Sequence, residues 1–238
     1  MKSRVEEQSA RDMHDPQQKH ASPNSDPWEA AYLRFETPEQ EIRKFIGRLE
    51  RLGAAKWPRD ARILEIFCGR GNGLRALERL GFMNLEGADL SARLLAEYRG
   101  PAKCVECDCR NMPFADGSKD IVIVQGGLHH LPTLPESLAE TLDEARRVLA
   151  QNGRIVIVEP WRTPFLDLVH FLCGSKLARR AWPKLDAMAT MVEHERVTYE
   201  QWLAQPELIR GMVLERFDTM RETIGWGKWS LVGRKREK

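Results

Sequence analysis

Residues 62–77 read RILEIFCGRGNGLRAL. An apolar run of strand length, Ile63, Leu64, Ile66 and Phe67, meets glycine at every second position, Gly69, Gly71 and Gly73. Leu74, Leu77 and Leu80 then recur at the spacing of one helix face. Strand, glycine turn and helix in that order open an alternating strand–helix chain. Glycine there lets the backbone turn tightly and lets something lie against it.

Outward from this stretch the same rhythm continues. Strands are expected at Ile63–Phe67, Asn84–Asp89, Lys103–Cys107, Ile121–Gln125 and Arg154–Glu159, with helices near Gly73–Leu80, Ser91–Tyr98 and Ser137–Ala150. DIVIVQ (120–125) and GRIVIVEP (153–160) are nearly continuous β-branched runs, as strands buried on both faces of a parallel sheet require. The closing ERFDTMRETIGWGKWSLVGRK (215–235) reads as two strands around Gly225-Trp226-Gly227. The predicted fold is α/β: a doubly wound, mostly parallel, seven-stranded sheet with an N-terminal helical segment and an insertion after the fifth strand. In such sheets ligands bind outside the carboxyl ends of the strands. The glycine stretch lies at one of those ends.

The predicted organisation is a disordered leader over 1–27, a helical cap over 28–58, a core over 59–160, a helical insertion over 161–205 and C-terminal strands over 206–238. In the cap, Thr37-Pro38-Glu39 is a helix start, and Ile42, Phe45, Ile46 and Leu49 form its apolar stripe. Tyr32 and Phe35 precede it, as part of a lid or of the core.

Across 238 residues, hydrophobic content is 42%, charged content 30% and net charge +2, which fits an ordinary globular chain without blocks of one sign. The opening MKSRVEEQSARD is polar, with no secretory signal, and no apolar run is long enough to span a bilayer. Five cysteines, an odd number, imply no disulfide framework and a reduced, cytoplasmic setting.

Three ligands compete for the glycines. A dinucleotide turn needs G-x-G-x-x-G, and counting from Gly69 and Gly71 the third position is Leu74. A phosphate-cradling loop needs G-x-x-x-x-G-K-[ST], which is absent. A nucleoside without phosphates remains. For it, NLEGADLS (84–91) ends a strand in Asp89, an acceptor for both ribose hydroxyls, with Leu90 as an apolar face for a purine. CVECDCRNMPF (104–114) supplies Asp108 for an exocyclic amine and the Cys109 amide for a ring nitrogen.

LEIFCGRGNG (64–73), GADLS (87–91), CDCRNMPFADGSKDIVIVQGGLHHLP (107–132) and EARRVLAQNGRIVIVEP (144–160) together resemble the class I S-adenosylmethionine-dependent methyltransferases. The resemblance is to their small-molecule branch, which includes the ubiquinone/menaquinone-type C-methyltransferases. It implies a Rossmann-like fold, S-adenosylmethionine (SAM) as cofactor and methyl transfer as activity. It further implies that Glu65 fixes the loop and the methionine amine. Gly69 and Gly71 lie under the methionyl part and ribose, and Asp89 holds the ribose. Leu90 flanks adenine, Asp108 and Cys109 read its edge, and Gln125 and Gly126 sit beside the methionine moiety. One position departs: the family's usual first glycine is Phe67, whose ring is expected either to narrow the floor of the site or to repack against the first helix.

A sulfonium methyl needs mainly alignment with its nucleophile and exclusion of water, worth about 7–11 kcal/mol. A base serves only where the nucleophile loses a proton. His129 and His130, after the fourth strand, are the candidate bases, or else part of the loop scaffold. Cys104, Cys107 and Cys109 lack a fourth partner for tetrahedral zinc and read as packed thiols, like Cys68, so no metal is expected.

WRTPFLDLVHFLCGSKLARRAW (161–182) is apolar, then basic. Phe165, Leu166, Leu168, Val169, Phe171 and Leu172 line an acceptor pocket, bury against the sheet as a lid helix, or rest with Lys176, Arg179 and Arg180 on a membrane surface through 164–180. Trp161, Trp182 and Trp202 suit a hydrophobic acceptor site or a small second core. No Asn-Pro-Pro-aromatic string and no Pro-Cys nucleophile follows the fourth strand, and no dense basic stripe suits a polynucleotide. A small, hydrophobic or lipid-like organic acceptor is expected, with no nucleic acid. A protein or tRNA methyltransferase and a catalytically inactive binding protein are the alternatives, the latter favoured by Phe67.

Overall fold

The computed structural model describes residues 26–236. The predicted leader lies, but for its last two residues, outside them. Two helices come first, α1 (Asp26–Phe35) and α2 (Pro38–Arg51). Thr37 caps α2 through a reciprocal capping box with Gln40, and Pro38 takes the first turn, where its missing N–H is harmless. The core follows as β1 (Ile63–Ile66), α3 (Asn72–Arg79), β2 (Leu85–Asp89), α4 (Ala92–Leu95), β3 (Lys103–Glu106), β4 (Lys119–Gln125), α5 (Glu136–Val148) and β5 (Leu149–Pro160). A single 3-10 turn, Leu128–His130, sits between β4 and α5. Then come α6 (Pro164–Cys173), α7 (Lys176–Ala181), α8 (Pro183–His194), α9 (Arg196–Ala204), α10 (Pro206–Arg216), β6 (Phe217–Gly225) and β7 (Lys228–Lys235).

The seven strands order β3-β2-β1-β4-β5-β7-β6. The first five run parallel, while β7 is antiparallel to β5 and β6 to β7. This is the expected doubly wound sheet with a reversed closing hairpin. Alternate residues of each central strand feed opposite faces. Leu64, Ile66, Val122, Val124, Ile155 and Ile157 pack on one side with α5 and α10. Ile63, Ile121, Ile123, Val156 and Val158 pack on the other with α2 and α3.

Four details differ from expectation. Tyr32 and Phe35 belong to a helix of their own, α1, which packs on α8 of the insertion. The chain leaves α5 at Val148, so that Leu149 and Ala150 already belong to β5, five residues before the expected start. Leu149 pairs with Lys119 of β4, and the register then shifts before Ile121 meets Arg154. The span from 206 opens with α10, not a strand: Pro206 starts it, and Ile209, Met212 and Val213 bury one helical face. The three tryptophans do not form one cluster. Trp161 packs on Trp229 (centroids 4.8 Å apart) and Trp202 (6.4 Å) in the main core, while Trp182 is exposed.

Candidate functional site

The carboxyl ends of the parallel strands carry most of the singled-out residues. Past β1 the backbone enters the left-handed region at Phe67, Gly69 and Gly71 (φ +57, +52 and +77°). The glycines serve different ends. A Cβ on Gly71 would fall 2.4 Å from the Tyr98 ring, and one on Gly73 would fall 1.8 Å from the Glu65 carboxylate, so both are packing requirements. A Cβ on Gly69 would meet only Leu94, at 3.9 Å. Gly69 therefore leaves open the space in front of it.

Asp89, at the end of β2, binds this loop directly. Its Oδ2 accepts from the Gly69 amide (2.7 Å) and its Oδ1 from the Ser91 amide (2.8 Å). Each oxygen keeps a lone pair for a further donor such as a ribose hydroxyl. Leu90 beside it is exposed. Asp108, after β3, is held differently. Arg110 forks onto its carboxylate (Nε–Oδ1 3.0 Å, Nη2–Oδ2 2.6 Å) and holds it below the ordinary aspartate pKa. An adenine amine there would share the carboxylate with Arg110. Cys109 lies 3.5 Å from the Thr141 hydroxyl, its thiol pushed up to about 12 by burial.

Glu65, in the middle of β1, is buried under the first turn of α3. Burial pushes its carboxyl up to about 8, against a hydrogen bond from Gln125 (Nε2–Oε1 3.2 Å). Its Oε2 has no partner. A buried carboxyl oxygen without a donor is unfavourable by about 1–3 kcal/mol. An ammonium group placed there would supply the missing donor and restore the charged form. Gln125 passes the chain of bonds outward, its Oε1 accepting from Arg48 of α2 (3.0 Å). Arg48 is buried, which lowers it to about 10. Lys228, at the start of β7, is reached by solvent yet hemmed in. Desolvation, with Arg48 and Lys44 adding repulsion, brings it to about 8.

The ends of β4 and β5 form a second cluster. Glu159 is completely buried. Its Oε1 accepts from the amides of Gly127 (2.8 Å) and Leu128 (2.9 Å), and its Oε2 lies 2.7 Å from Nδ1 of His129. A carboxylate only accepts, so Nδ1 donates, and in the neutral ring Nε2 keeps a free lone pair. That Nε2 is 3.9 Å from Glu195, and His130 Nδ1 is 3.7 Å from the same carboxylate. Glu195 precedes α9, and burial raises its pKa. Tyr199 of α9 meets the His129 ring edge-on at 5.8 Å and shares a 3.2 Å hydrogen bond with His170 of α6. His129 is thus buried and oriented, whereas His130 is exposed. Among the described residues, His129, His130 and Glu195 are the group whose ligand atoms, all within 4.8 Å, have the spacing of a cation site.

The two clusters meet at the strand tips. A Cβ on Gly126 (φ +76°) would stand 3.9 Å from the His129 ring. Phe67 packs against the core cluster on the α5 side of the sheet, which contains no residue of α3. Its ring lies across Gly127, where a Cβ would clash at 2.2 Å, and joins the core beneath. A phenylalanine thus occupies a left-handed position because the facing residue after β4 is a glycine. All five cysteines are free. Cys68 and Cys104 face each other over Gly87, and the described groups with metal-like spacing contain no cysteine.

Sequence reasoning missed Arg48, Glu159, Glu195, Tyr199 and Lys228. Arg48 and Glu159 left a signal, a charge beside or within a buried apolar run. The others left none. No helix among the described residues is long and apolar enough to cross a membrane.

Comparison with known proteins adds to this geometry. Residues 64–157 match a methyltransferase domain family. The chain is 28% identical over 197 residues to a ubiquinone/menaquinone biosynthesis C-methyltransferase of Paracoccus denitrificans, covering 77% of this chain and 74% of that protein. It is 32% identical to a demethylmenaquinone methyltransferase of Thermus thermophilus (48% and 59% covered) and 33% identical to a 2-phytyl-1,4-naphtoquinone methyltransferase of Trichormus variabilis (44% and 51%). It therefore spans about three quarters of the first relative's length and half to three fifths of the other two. A solved structure from Pyrococcus horikoshii superposes with a TM-score of 0.64 at 19% identity, over 89% of this chain and 100% of that one. A SAM-dependent methyltransferase from Methanosarcina mazei does so at 0.56 and 16%, over 79% and 98%.

Proposed function

For a chain that belongs to the class I SAM-dependent methyltransferases, we propose that the methyl acceptor is a small hydrophobic ring compound of the quinol type, bound between the β4–β5 tips and the insertion. The names of the quinone-methylating relatives support the acceptor class. The observation that carries the reading is the Glu159–His129 pair, which aims a free imidazole nitrogen at the space beside Glu195 and His130.

When bound, SAM supplies an electrophilic sulfonium methyl. Everything else falls to the chain. On this reading Asp89 holds the ribose hydroxyls, and the open face of Gly69 lets the methionyl chain lie against the backbone. Glu65, through its unpartnered Oε2, takes the methionine ammonium, with Gln125 and Arg48 holding the carboxyl in place. Leu90 flanks the adenine, whose edge Asp108 and the Cys109 amide read, with Arg110 retaining part of Asp108.

The acceptor's hydroxyl or ring C–H loses its proton to Nε2 of His129. Glu159 offsets the resulting positive charge through Nδ1, as a buried carboxylate behind an imidazole does. His130 lines the same space. Tyr199 and the apolar inner side of the insertion exclude water, which strengthens each of these contacts.

Radiolabelled SAM, offered with a panel of reduced benzoquinol and naphthoquinol head groups, tests this proposal. We expect label on one ring class and no label on tRNA or on protein in a cell extract. Labelling of tRNA or protein alone would overturn the acceptor assignment. A protein that binds SAM and labels nothing would instead be a binding protein on this fold.

A further inference from the structure

The outer side of the insertion has a different chemistry from its inner side. Helix α6 buries only Leu166. Phe165, Leu168 (54% exposed) and Phe171 (76%) recur every three residues along its solvent side. Leu177 of α7 (82%) and Trp182, at the α7–α8 junction, are exposed as well. The β6–β7 turn brings Trp226 (81%) to α6 from another part of the chain, edge-on to Phe165 at 5.1 Å. Exposed apolar surface on that scale, in one place, marks a contact site.

Charge identifies what fits it. Residues 161–182 hold four cations, Arg162, Lys176, Arg179 and Arg180, and one acid, Asp167. Beside the patch a groove opens between α1 and α7–α8, lined by Arg34, Lys176, Arg179, Arg180, Pro183 and Asp186. Asp186 engages Arg34 and Arg179, Glu193 also pairs with Arg179, and Lys176 and Arg180 leave the groove a surplus of positive charge. Aromatic and aliphatic side chains ringed by Lys and Arg are the composition of a surface that lies in a lipid headgroup layer. The chain has no helix long and apolar enough to cross a bilayer among its described residues, so contact through this face is superficial.

We propose that the outer face of α6–α7 with the β6–β7 turn docks this protein on an anionic phospholipid surface. Phe165, Leu168, Phe171 and Trp226 enter the headgroup region, and Lys176 and Arg180 meet phosphates beside the Arg34 groove. The inner side of α6 carries His170, which is bonded to Tyr199 over the His129 cluster, so docking and the acceptor space share one helix. The inference goes beyond the acceptor assignment and stands without it.

The test is sedimentation of the full chain with vesicles of phosphatidylcholine, alone or containing phosphatidylglycerol. SAM affinity is measured in parallel to show that each variant is folded. We expect at least ~tenfold tighter binding to the anionic vesicles, weakened by salt, and quenching of tryptophan fluorescence by brominated lipid. Phe171→Asp and Trp226→Asp should each lower vesicle affinity about tenfold. Lys176→Glu with Arg180→Glu should remove the preference for anionic lipid. Unchanged binding by Phe171→Asp overturns the proposal. So does absence of the wild-type chain from the anionic pellet. A dimer that Phe171→Asp dissociates, with no vesicle binding, would assign the face to a second copy instead. Because SAM binding is read separately, loss of docking leaves the methyltransferase assignment untouched.

Discussion

The rim at the ends of β1, β2 and β3 and the cluster at the ends of β4 and β5 sit side by side, yet they are built in opposite ways. In the rim the carboxylates are held by groups nearby in the chain: Asp89 by two amides, and Asp108 by the amide and the guanidinium of Arg110 two residues on. The conspicuous vacancy is Oε2 of Glu65. In the second cluster one carboxylate, Glu159, is bonded through both oxygens, while His129, which it holds, and His130 face Glu195 of the insertion at 3.9 and 3.7 Å, too far for hydrogen bonds. A preformed rim suits a ligand that never changes. A gap walled by side chains from the insertion suits one that the insertion can select.

Substitutions can break that division. Asp89→Ala should have the largest effect, a loss of SAM affinity of about a hundredfold or more by calorimetry, because it removes both the proposed ribose acceptor and the anchor of the Gly69 and Ser91 amides. Those amides, left without their acceptor, should also lower stability by about 1–3 kcal/mol. An unchanged affinity would mean that the nucleoside lies elsewhere. Glu159→Gln should do the reverse. It places an amide against Nδ1 of His129 and disfavours the tautomer that leaves Nε2 free. The kcat should fall about a hundredfold or more with SAM affinity nearly unchanged. If SAM affinity fell as far as kcat, the two regions would be one.

Glu65 ties the comparison to pH. Burial holds its carboxyl at about 8 in the folded protein, against 4.5 for a free glutamate. The folded state therefore keeps a proton that the unfolded state has lost. The stability this confers is complete below the unfolded value and lost as pH rises through the folded one. Thermal unfolding from pH 5 to pH 8 should show that decline, and Glu65→Gln should flatten it. Near neutral pH, SAM should displace close to one proton as its ammonium restores the carboxylate, read as a buffer-dependent binding enthalpy. Glu65→Gln should abolish that dependence and weaken binding about tenfold or more.

The smallest effect is expected at the seam. Phe67→Gly relieves a left-handed φ worth roughly 1–2 kcal/mol but gives up the ring packed on Gly127. Phe67→Ala gives up the ring and keeps most of the strain, so it should unfold more readily than Phe67→Gly, by about 1 kcal/mol. Equal stabilities would show that backbone strain at this turn is negligible.

Much of the rim was legible in the sequence, because most strands announce themselves by an apolar run and the polar residues follow at or just beyond their ends. Gly69, Asp89 and Asp108 followed from that rule and the glycine turn, whereas Glu65 and Gln125 were singled out only by the family resemblance. Helix α1 was missed because its pattern is only weakly amphipathic and its packing surface is α8, about 150 residues away. The early start of β5 was missed because Gln151, Asn152 and Gly153 read as a turn, and the pairing ahead of them, Leu149 with Lys119 of β4, is separated from the rest of the ladder by a register shift.

Local chemistry along the chain was sufficient for the sheet and its winding, since these depend on residue periodicity and on backbone geometry at strand ends. It was silent on Glu195 and Tyr199 over the histidines, on Lys228 beside Arg48, and on which side of α6 faces outward. Those contacts join residues far apart in sequence. They exist because the insertion buries one face on the core, and nothing in a linear pattern says which distant partner a buried face will meet.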